Sequence, residues 1–435
     1  MDRFYKPWSQ SDPTPYRFIK ANVVDTANGT IIPNATVRTA KGLITSVTTG
    51  ASDGESSEND EQIIDLNGNY LCPGLTDCHV HLTAAPGESD LKNLWNVHEH
   101  VLLYRTTYVC RAILSRGFTT VRDTGGASLA LKESIQDGLI PGPRLLIAGH
   151  ALSQTGGHGD FRNSYQQALP ECGCGHVTGL ARICDGVPEC LRAARDELRR
   201  GADFIKIMGG GGVVSPTDAI DQIQFTPEEV RAITTVARAA GKYVTSHAYT
   251  PEAIRNAVEN GVGGIEHGNL LDEPTARLMA EKGVFLTPTL VTYDAMSNGP
   301  FADFLPSELK AKNVRVLEAG LSSLEIAKEA GITMCFGTDL LGPLGAFQSN
   351  EFSLRSKVLS PLKVLQSATV NPAKMMGLDK AGQIKEGFWA DLLVLNSNPL
   401  KDVTVLDHTD KELLAVFKEG KAYYSKLEGV KGSLD

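Results

Sequence analysis

Short apolar runs alternate with helical segments over most of this chain, and that alternation limits its possible folds more than any other feature. Strand-like runs such as 204–208 are separated by segments with helix-start signals. Thr226-Pro227-Glu228-Glu229 is a capping box with proline at the first helical position, and Thr250-Pro251 and Ser360-Pro361 are similar starts. The predicted strands lie near 73–81, 117–123, 144–149, 204–208, 243–247, 264–267, 284–288 and 333–339. Parallel strands alternating with helices in this number indicate an α/β fold of the (β/α)8, TIM-like barrel type.

Both ends of the chain are predicted to be β structure. Residues 16–71 contain short β-rich runs separated by Gly and Asn-Gly turns, and β character returns after about residue 380. Because the two ends flank one barrel, we expect them to pair. The predicted organisation is a small composite β domain, a β-sandwich formed by residues 1–72 plus 381–435, and a barrel of residues 73–380. A Ser-, Asp- and Glu-rich stretch at 51–62 is typical of an exposed loop.

Composition excludes several classes of partner. A net charge of −9 and a pI near 5.6 argue against nucleic acid and anionic membrane. No apolar run approaches the roughly 18 residues of a membrane-spanning helix, and the first residues lack the apolar core of a signal peptide. We therefore expect a soluble, cytoplasmic protein, unless a leader has been removed, and a small-molecule substrate.

The first predicted strand ends in a pair of histidines. It begins at the Pro73-Gly74 turn and carries His79 and His81 at positions i and i+2. Side chains at this spacing lie on the same face of a strand, so the two imidazoles can hold one metal ion. Imidazole is a common ligand for divalent metals of the zinc type.

Other polar residues occupy matching positions in the later strands. In a (β/α)8 barrel the active-site residues lie at the carboxyl ends of the strands. Four of the ten histidines fall at such ends, and a random distribution of histidines along the chain would not easily produce this. The residues at or near these ends are His79, His81, Lys206, His247, His267 and Asp339. The sequence therefore predicts a metal site there.

Lys206 differs from the others because an ammonium has no lone pair and cannot bind a metal. It lies in the apolar run Phe204-Ile205-Lys206-Ile207-Met208, which four glycines follow. It could be a buried lysine paired with Asp339, or a phosphate-binding lysine beside a glycine-rich loop. Alternatively, burial lowers its pKa and frees the amine, which can then take up CO2. The resulting carbamate has two oxygens that could bridge two cations.

Together these motifs resemble the metal-dependent amidohydrolase superfamily. The likeness covers the six residues above and the Gly-x-Ile-x-x-Gly-x-x-Ala-Asp-Leu run from Gly382 to Leu392. Segments 119–123, 152–160 and 205–208 are more closely similar to the branch that holds ochratoxinase, Xaa-Pro dipeptidases and imidazolonepropionase relatives. Close relatives in this branch form homo-oligomers, and the resemblance implies the same here.

The resemblance implies a binuclear zinc site and a hydrolytic mechanism. His79, His81 and Asp339 would hold the more buried metal ion, and His247 and His267 the other. N6-carboxylated Lys206 and a hydroxide would bridge the two divalent ions. Two metals lower the pKa of a bridging water and polarise the scissile carbonyl. Asp339 would take the proton of the attacking hydroxide and pass it to the leaving amine.

Two further residues are candidates for contact with the substrate. His158 lies in the long loop after the third strand, where it is either a histidine held by local turns or a donor to the substrate carbonyl or carboxylate. Tyr249 follows His247 by two residues and could point into the same mouth of the barrel.

Arg122 and Asp123 are expected to form a structural ion pair. Cys172, Cys174, Cys184 and Cys190 could hold a structural zinc or form a disulfide, but we expect free thiols because their spacing matches neither common zinc pattern.

The leading function is hydrolysis of an amide or peptide-like C–N bond in a small substrate that bears a carboxylate. An N-acyl amino acid, an Xaa-Pro dipeptide and an ochratoxin-like amide all fit. The alternatives are a single-metal deaminase, an imidazolonepropionase-type hydrolase and a lactonase. A deaminase would need a glutamate soon after His247, whereas Glu252 is five residues along and is predicted to lie in a helix. A non-catalytic relative fits least, because all six site residues are present.

Overall fold

A computed structural model describes residues 5–9, 12–49, 61–166 and 179–434 of this protein. Residues 51–60 of the predicted exposed loop, and Cys172 and Cys174, lie outside the described residues.

The described strands form three sheets. In chain order they are β1 (Tyr16–Asp25), β2 (Thr30–Ala40), β3 (Leu43–Thr49), β4 (Gln62–Asp65), β5 (Tyr70–Pro73), β6 (Leu75–Val80), β7 (Phe118–Asp123), β8 (Arg144–Ile147), β9 (Ala151–Ser153), β10 (Ala181–Ile183), β11 (Ile205–Met208), β12 (Val244–Ala248), β13 (Gly264–His267), β14 (Phe285–Thr287), β15 (Leu392–Leu395), β16 (Leu413–Lys418) and β17 (Lys421–Ser425). One sheet has the order β6-β7-β8, and another has the order β10-β9-β11-β12-β13-β14. The third contains strands from both ends of the chain.

The strands in the middle of the chain are parallel and alternate with helices, as the sequence predicts. Each of β11, β12 and β13 pairs in parallel with the next, and so do β6 with β7 and β7 with β8. The segment of the last predicted strand contacts both groups. Met334 forms a parallel bridge with Leu286, and the backbone N–H of Cys78 donates to the carbonyl of Phe336 at 2.8 Å. The core of this region therefore has an α/β fold, with the carboxyl ends of its strands at a common edge.

The helices begin where the sequence places their caps. Thr226 and Glu229 form the predicted capping box, and Thr250 and Ser360 each accept a backbone hydrogen bond at a helix start. The helices are α1 (Leu91–Leu94), α2 (Glu99–Ser115), α3 (Leu129–Gln136), α4 (Gly186–Arg199), α5 (Pro227–Ala239), α6 (Pro251–Glu259), α7 (Glu273–Glu281), α8 (Leu290–Ser297), α9 (Ser307–Glu329), α10 (Asn350–Ser356), α11 (Pro361–Ser367), α12 (Val370–Met376) and α13 (Thr409–Glu412), with 3-10 turns at Gly299–Phe301, Gly342–Phe347 and Val403–Asp407. None of the helices in the described ranges is long and apolar enough to cross a membrane.

The two ends of the chain share one mixed sheet of the order β17-β16-β15-β5-β1-β2-β3, with β4 paired to β1. The join is antiparallel pairing of β15 with β5, in which Leu393 lies opposite Cys72. Aromatic packing supports it, since the rings of Phe18 and Phe417 meet edge to face with centroids 5.2 Å apart. The pairing of the ends is thus observed, whereas the sandwich architecture and the domain boundaries stay predictions.

Candidate active site

Three of the predicted metal ligands form a compact cluster. His79 and His81 lie at the end of β6, and Asp339 follows the segment that contacts β6. Potential ligand atoms of these three residues lie within 4.8 Å of one another. Oδ1 of Asp339 is 3.3 Å from Nε2 of His79 and 3.2 Å from Nε2 of His81. One nitrogen from each ring and one carboxylate oxygen therefore converge on a common point.

Hydrogen bonds on the far side of each ring orient the two imidazoles. Nδ1 of His79 lies 2.8 Å from Oε2 of Glu266, and Nδ1 of His81 lies 2.9 Å from the carbonyl of Gly125. Neither oxygen can donate in its ordinary form, so Nδ1 carries a proton in both rings, and in a neutral ring the lone pair of Nε2 faces Asp339 and the common point. Metal-binding histidines are normally held in this way.

A second pair of histidines lies beside the first. His247 in β12 and His267 in β13 have ring centroids 4.5 Å apart, and His267 is 4.9 Å from His79. Nε2 of His247 hydrogen-bonds the carbonyl of Gly211 at 3.1 Å, whereas Nδ1 of His267 lies 2.7 Å from Oγ1 of Thr289. Nδ1 of His247 and Nε2 of His267 are thus the nitrogens left for a ligand.

The charge states of His247, His267 and Asp339 suit a cation. Burial would lower the pKa of His81, but the hydrogen bond with Asp339 raises it above the ordinary value. Burial and neighbouring positive charge lower the pKa of His247 and of His267 well below the ordinary value. Burial would raise the pKa of Asp339, but the adjacent His79 holds it well below its usual range. Neutral imidazoles and an ionised carboxylate are the forms that bind metal. The set of nitrogen and oxygen donors therefore fits divalent ions of the zinc type.

Lys206 lies in β11 and is 1% exposed. Burial lowers the pKa of its amine to about 8, although Glu266 and Asp339 act in the opposite direction. Within the described part of the chain, no hydrogen bond or ion pair joins Lys206 to another residue. The direct pairing with Asp339 is therefore not observed, and the amine is left for a further reaction.

The glycine run after β11 allows the backbone to pass close to the site. A Cβ at Gly211 would overlap the carbonyl oxygen of Ala219, and a Cβ at Gly212 would overlap the imidazole ring of His158. This close approach of the backbone accounts for the glycine run, so a phosphate-binding role is not needed to explain it.

Two site residues have left-handed backbone conformations. His267 has φ 72° and Asp339 has φ 53°. Such conformations are unfavourable for most residues with a side chain and occur often at functional sites. They aim both side chains into the cluster.

The expected ion pair between Arg122 and Asp123 is wrong. Arg122 instead binds Oε1 of Glu266 at 2.5 Å, and Asp123 accepts backbone hydrogen bonds from Leu82, Gly125 and Ala127. The physical reason is that successive residues of a strand point to opposite faces. Arg122 therefore contacts β13, while Asp123 organises the loops beside His81.

Sequence reasoning also missed Glu266 and Tyr293. Glu266 holds His79, and the Tyr293 hydroxyl lies 3.0 Å from Nδ1 of His267. A glutamate in an otherwise apolar strand, next to a candidate ligand, was an available signal for Glu266. Tyr293 comes from α8, and its approach to His267 depends on packing that the sequence pattern does not show.

Both candidate substrate contacts border one cleft. His158 and Tyr249 line it, together with Tyr293 and Asp339. The hydroxyls of Tyr249 and Tyr293 are 2.9 Å apart, and the His158 ring stacks on His247 at 4.1 Å. Trp95 and Phe161 stack at 4.6 Å and also line the cleft. His81, His158, Tyr249 and Asp339 therefore line one cleft with largely apolar walls, and the rings of His79, His247 and His267 lie beside theirs. Lys206 is buried and is not among the described residues that line this cleft.

Cys184 and Cys190 are free thiols, as predicted, with their sulfurs 3.9 Å apart.

Comparison with known proteins assigns the chain to a family. Residues 70–423 match the sequence model of the Amidohydrolase family. The chain belongs to the amidohydrolase family. The predicted resemblance is therefore confirmed, and members of this family generally use divalent metals.

The proteins similar to this amidohydrolase include an ochratoxinase, a prolidase and a Xaa-Pro dipeptidase. Ochratoxinase from Aspergillus niger is 33% identical over 369 residues, which are 81% of this chain and 75% of that protein. A crystal structure of a prolidase complexed with N-methylphosphonate-L-proline has TM-score 0.90 and 41% identity, and covers 95% of this chain and 100% of that one. A Xaa-Pro dipeptidase with methionine bound in its active site has TM-score 0.83 and 28% identity, with coverage of 95% and 100%. This amidohydrolase is accordingly a hydrolase of amide or peptide C–N bonds.

Proposed function

We propose that this protein is a binuclear-metal amidohydrolase that cleaves an amide or peptide-like C–N bond of a small substrate bearing a carboxylate. The observation that carries the proposal is the convergence of His79, His81 and Asp339 with the second pair, His247 and His267. N-acyl amino acids, Xaa-Pro dipeptides and ochratoxin-like amides are the candidate substrates. The likeness to a prolidase and to ochratoxinase supports this set.

The site is carried by a closed (β/α)8 barrel of residues 73–380, and residues 1–72 with 381–435 form the β-sandwich domain. The parallel pairing of consecutive strands supports the barrel. So do the contacts of the last predicted strand with Cys78 on one side and Leu286 on the other.

His79, His81 and Asp339 would hold one zinc ion, and His247 and His267 would hold the other. N6-carboxylated Lys206 would supply a carboxylate ligand to both, a role supported by its burial, its lowered pKa and the lack of a hydrogen-bond or ion-pair partner among the described residues. When bound, two such ions lower the pKa of a water molecule and polarise the scissile carbonyl.

The protein's own groups position the substrate and move a proton. Asp339 accepts a proton from the attacking water and returns it to the leaving nitrogen. His158 and Tyr249 border the space where the substrate lies, and the apolar walls around them limit access of bulk water. Trp95 and Phe161 offer an apolar face to the acyl group.

We also propose that the protein acts as a homo-oligomer, which light scattering of the purified protein tests.

An assay with metal-loaded protein tests the function. N-acyl amino acids, Xaa-Pro dipeptides and ochratoxin-like amides are supplied in parallel with lactones and with amidine-containing heterocycles. We expect release of free amine from at least one amide, loss of that activity with a chelator, and its return with zinc. Ammonia release from a heterocycle alone would favour a deaminase, and turnover of lactones alone would favour a lactonase. Either result would contradict the proposal.

A further inference from the structure

A second cavity, of about 300 Å³, lies apart from the active-site cleft. It is enclosed between α2 and the 3-10 turn Gly342–Phe347. Val109, Ala112 and Ile113 line it from α2 and have the spacing of one helix face. Among the described residues that line the two spaces, only His81 is common to both. The cavity is therefore a separate compartment, which the proposed function does not use.

The walls of this cavity are mostly apolar. Val80, Leu82 and Leu340 line it and are buried. Tyr108 also lines it and is 64% exposed, so the space opens to solvent on that side. Small-molecule sites in proteins have volumes of roughly 300–1,000 Å³, and this cavity is at the lower end of that range. It can therefore hold a small ligand with an apolar body.

Arg116 brings a positive charge to the cavity. It follows α2 directly and is half-buried, and no aspartate or glutamate is among the described lining residues. Nε of Arg116 donates to Oε1 of Gln348 at 2.9 Å, but its two terminal nitrogens have no hydrogen-bond or ion-pair partner in the described part of the chain. Burial lowers the pKa of this guanidinium to about 10, which leaves it charged at neutral pH. The terminal N–H groups are thus available to an anion.

Buried polar neighbours hold the guanidinium of Arg116 in place. Gln348 is 2% exposed, and its Nε2 donates to Oδ2 of Asp77 at 2.9 Å, which turns its amide oxygen toward Arg116. The same carboxylate oxygen of Asp77 accepts the hydroxyl of Thr338 at 2.7 Å. Because these groups are buried and bonded to one another, the orientation of Arg116 is set before a ligand binds. Such pre-organisation lowers the entropic cost of binding.

A carboxylate matches this arrangement. A guanidinium pairs with a carboxylate through two parallel N–H···O bonds, and the apolar walls suit a hydrocarbon chain or ring. An amino acid does not fit, because no acidic side chain among the described lining residues could pair with its ammonium. The chemistry therefore selects an acid with one negative charge and no positive charge.

We propose that this cavity is a binding site for a small monocarboxylic acid with an apolar body, such as a medium-chain fatty acid. Its carboxylate lies against the terminal nitrogens of Arg116, and its hydrocarbon part lies between α2 and the 3-10 turn. The proposal does not depend on which bond the active site cleaves.

Titration calorimetry on the metal-loaded, full-length protein tests the chemistry of the ligand. Octanoate is compared with octanol, which has the chain without the charge, and with acetate, which has the charge without the chain. Leucine adds an ammonium. We expect octanoate to bind at least about tenfold more tightly than each of the others, the size of one hydrogen bond to a charged group. Absence of octanoate binding, or equal binding of octanol or leucine, would overturn the proposal.

Three variants test the role of the cavity residues. Arg116→Met keeps an apolar side chain without the charge, and we expect about a tenfold loss of octanoate affinity with no change for octanol. Arg111→Met is the matched control, because Arg111 is an exposed residue of α2 that does not line the cavity, and it should bind octanoate normally. Ala112→Leu fills part of the space and should weaken both ligands. Octanoate affinity that survives Arg116→Met would overturn the proposed contact.

A crystal structure with bromine-labelled octanoate locates the ligand without any substitution. We expect the anomalous signal of bromine between α2 and the 3-10 turn, with the carboxylate beside Arg116. A carboxylate bound only at the metal ions, or a neighbouring copy of the chain that fills the cavity, would overturn the proposal. Either result would leave the proposed amide hydrolysis standing, because no step of it uses Arg116.

Discussion

Nδ1 of His79 donates a hydrogen bond of 2.8 Å to Oε2 of Glu266, 187 residues away in the chain. Glu266 is held as a carboxylate: burial would raise its pKa, but Arg122, 2.5 Å away, and the contact with His79 keep it well below the usual range. Thr245 donates to it as well. Because the carboxylate can only accept, the orientation of His79 is fixed before any metal arrives.

Glu266→Gln should weaken metal binding. The side-chain amide oxygen of the introduced glutamine would be drawn to Arg122, which would place the amide nitrogen against Nδ1 of His79 and push the histidine proton onto Nε2. We expect a loss of roughly 10- to 100-fold in metal affinity, measured by competition with a coloured chelator.

Glu351→Gln is the matched control for this prediction. Glu351 is also fully buried and pairs with Arg355 at 2.7 Å, but it contacts none of the predicted ligands. We expect it to lower thermal stability without changing metal affinity. An equal loss of affinity in both variants would mean that Glu266 acts through general stability alone.

Lys206→Ala should remove the bridge that we propose between two metal ions. We expect the metal content to fall toward one per chain and activity to be lost, with partial rescue by a short carboxylic acid that fills the space of the carbamate. Lys418→Ala is the control, because Lys418 is a buried lysine in the sheet of the chain ends, 5% exposed. If Lys206→Ala kept its full metal content, the bridging role would be wrong.

Asp339→Asn should remove most of the turnover and leave the fold intact. Asparagine tolerates the left-handed conformation that Asp339 has at φ 53°, so folding should not suffer. We expect kcat to fall roughly 10²- to 10⁴-fold, the usual contribution of a positioned acid or base. Asp221→Asn, which alters an exposed ion pair with Arg315, should keep full activity in the same assay.

Asp407 should make stability depend on pH. Burial raises the pKa of its carboxyl from 3.8 to about 6, against the effect of the hydrogen bond from Ser353. The folded state therefore holds this proton more tightly than the unfolded state, so stability falls as pH rises between about 4 and 6.

Asp407→Asn should remove that dependence. At pH 7 we expect the free energy of unfolding of the variant to exceed that of the unaltered protein by about 1–2 kcal/mol, a value that allows for the partial exposure of Asp407. Denaturant unfolding of the two proteins measures this difference. At pH 4 the two should be nearly equal. A variant that is less stable at pH 7 would contradict the assignment.

The sequence was sufficient to single out the candidate ligands, because each differs in polarity from the residues next to it. His79, His81, His247 and His267 are polar residues in apolar strands, and the alternation of strands and helices brings the strand ends to one edge. The same reasoning could not supply their partners. Glu266, the Gly125 carbonyl and Tyr293 come from elements far along the chain, and their contacts depend on strand register and helix packing.

The prediction for Arg122 was wrong because it considered only neighbouring residues in the sequence. Adjacent charges in the sequence suggested an ion pair with Asp123, although strand alternation places the two on opposite faces. The hydrogen bond from Ser215 to Asp218 lies in an irregular segment after β11, and no periodicity of the sequence predicts the path of that segment.

We propose that carboxylated Lys206 bridges two metal ions. This is tested by the metal content per chain, determined by elemental analysis on protein prepared with bicarbonate and without chelator, together with the intact mass of the chain under non-denaturing conditions. We expect close to two divalent ions per chain and the added mass of one carboxylate at Lys206. One ion per chain with an unmodified lysine would contradict this mechanism.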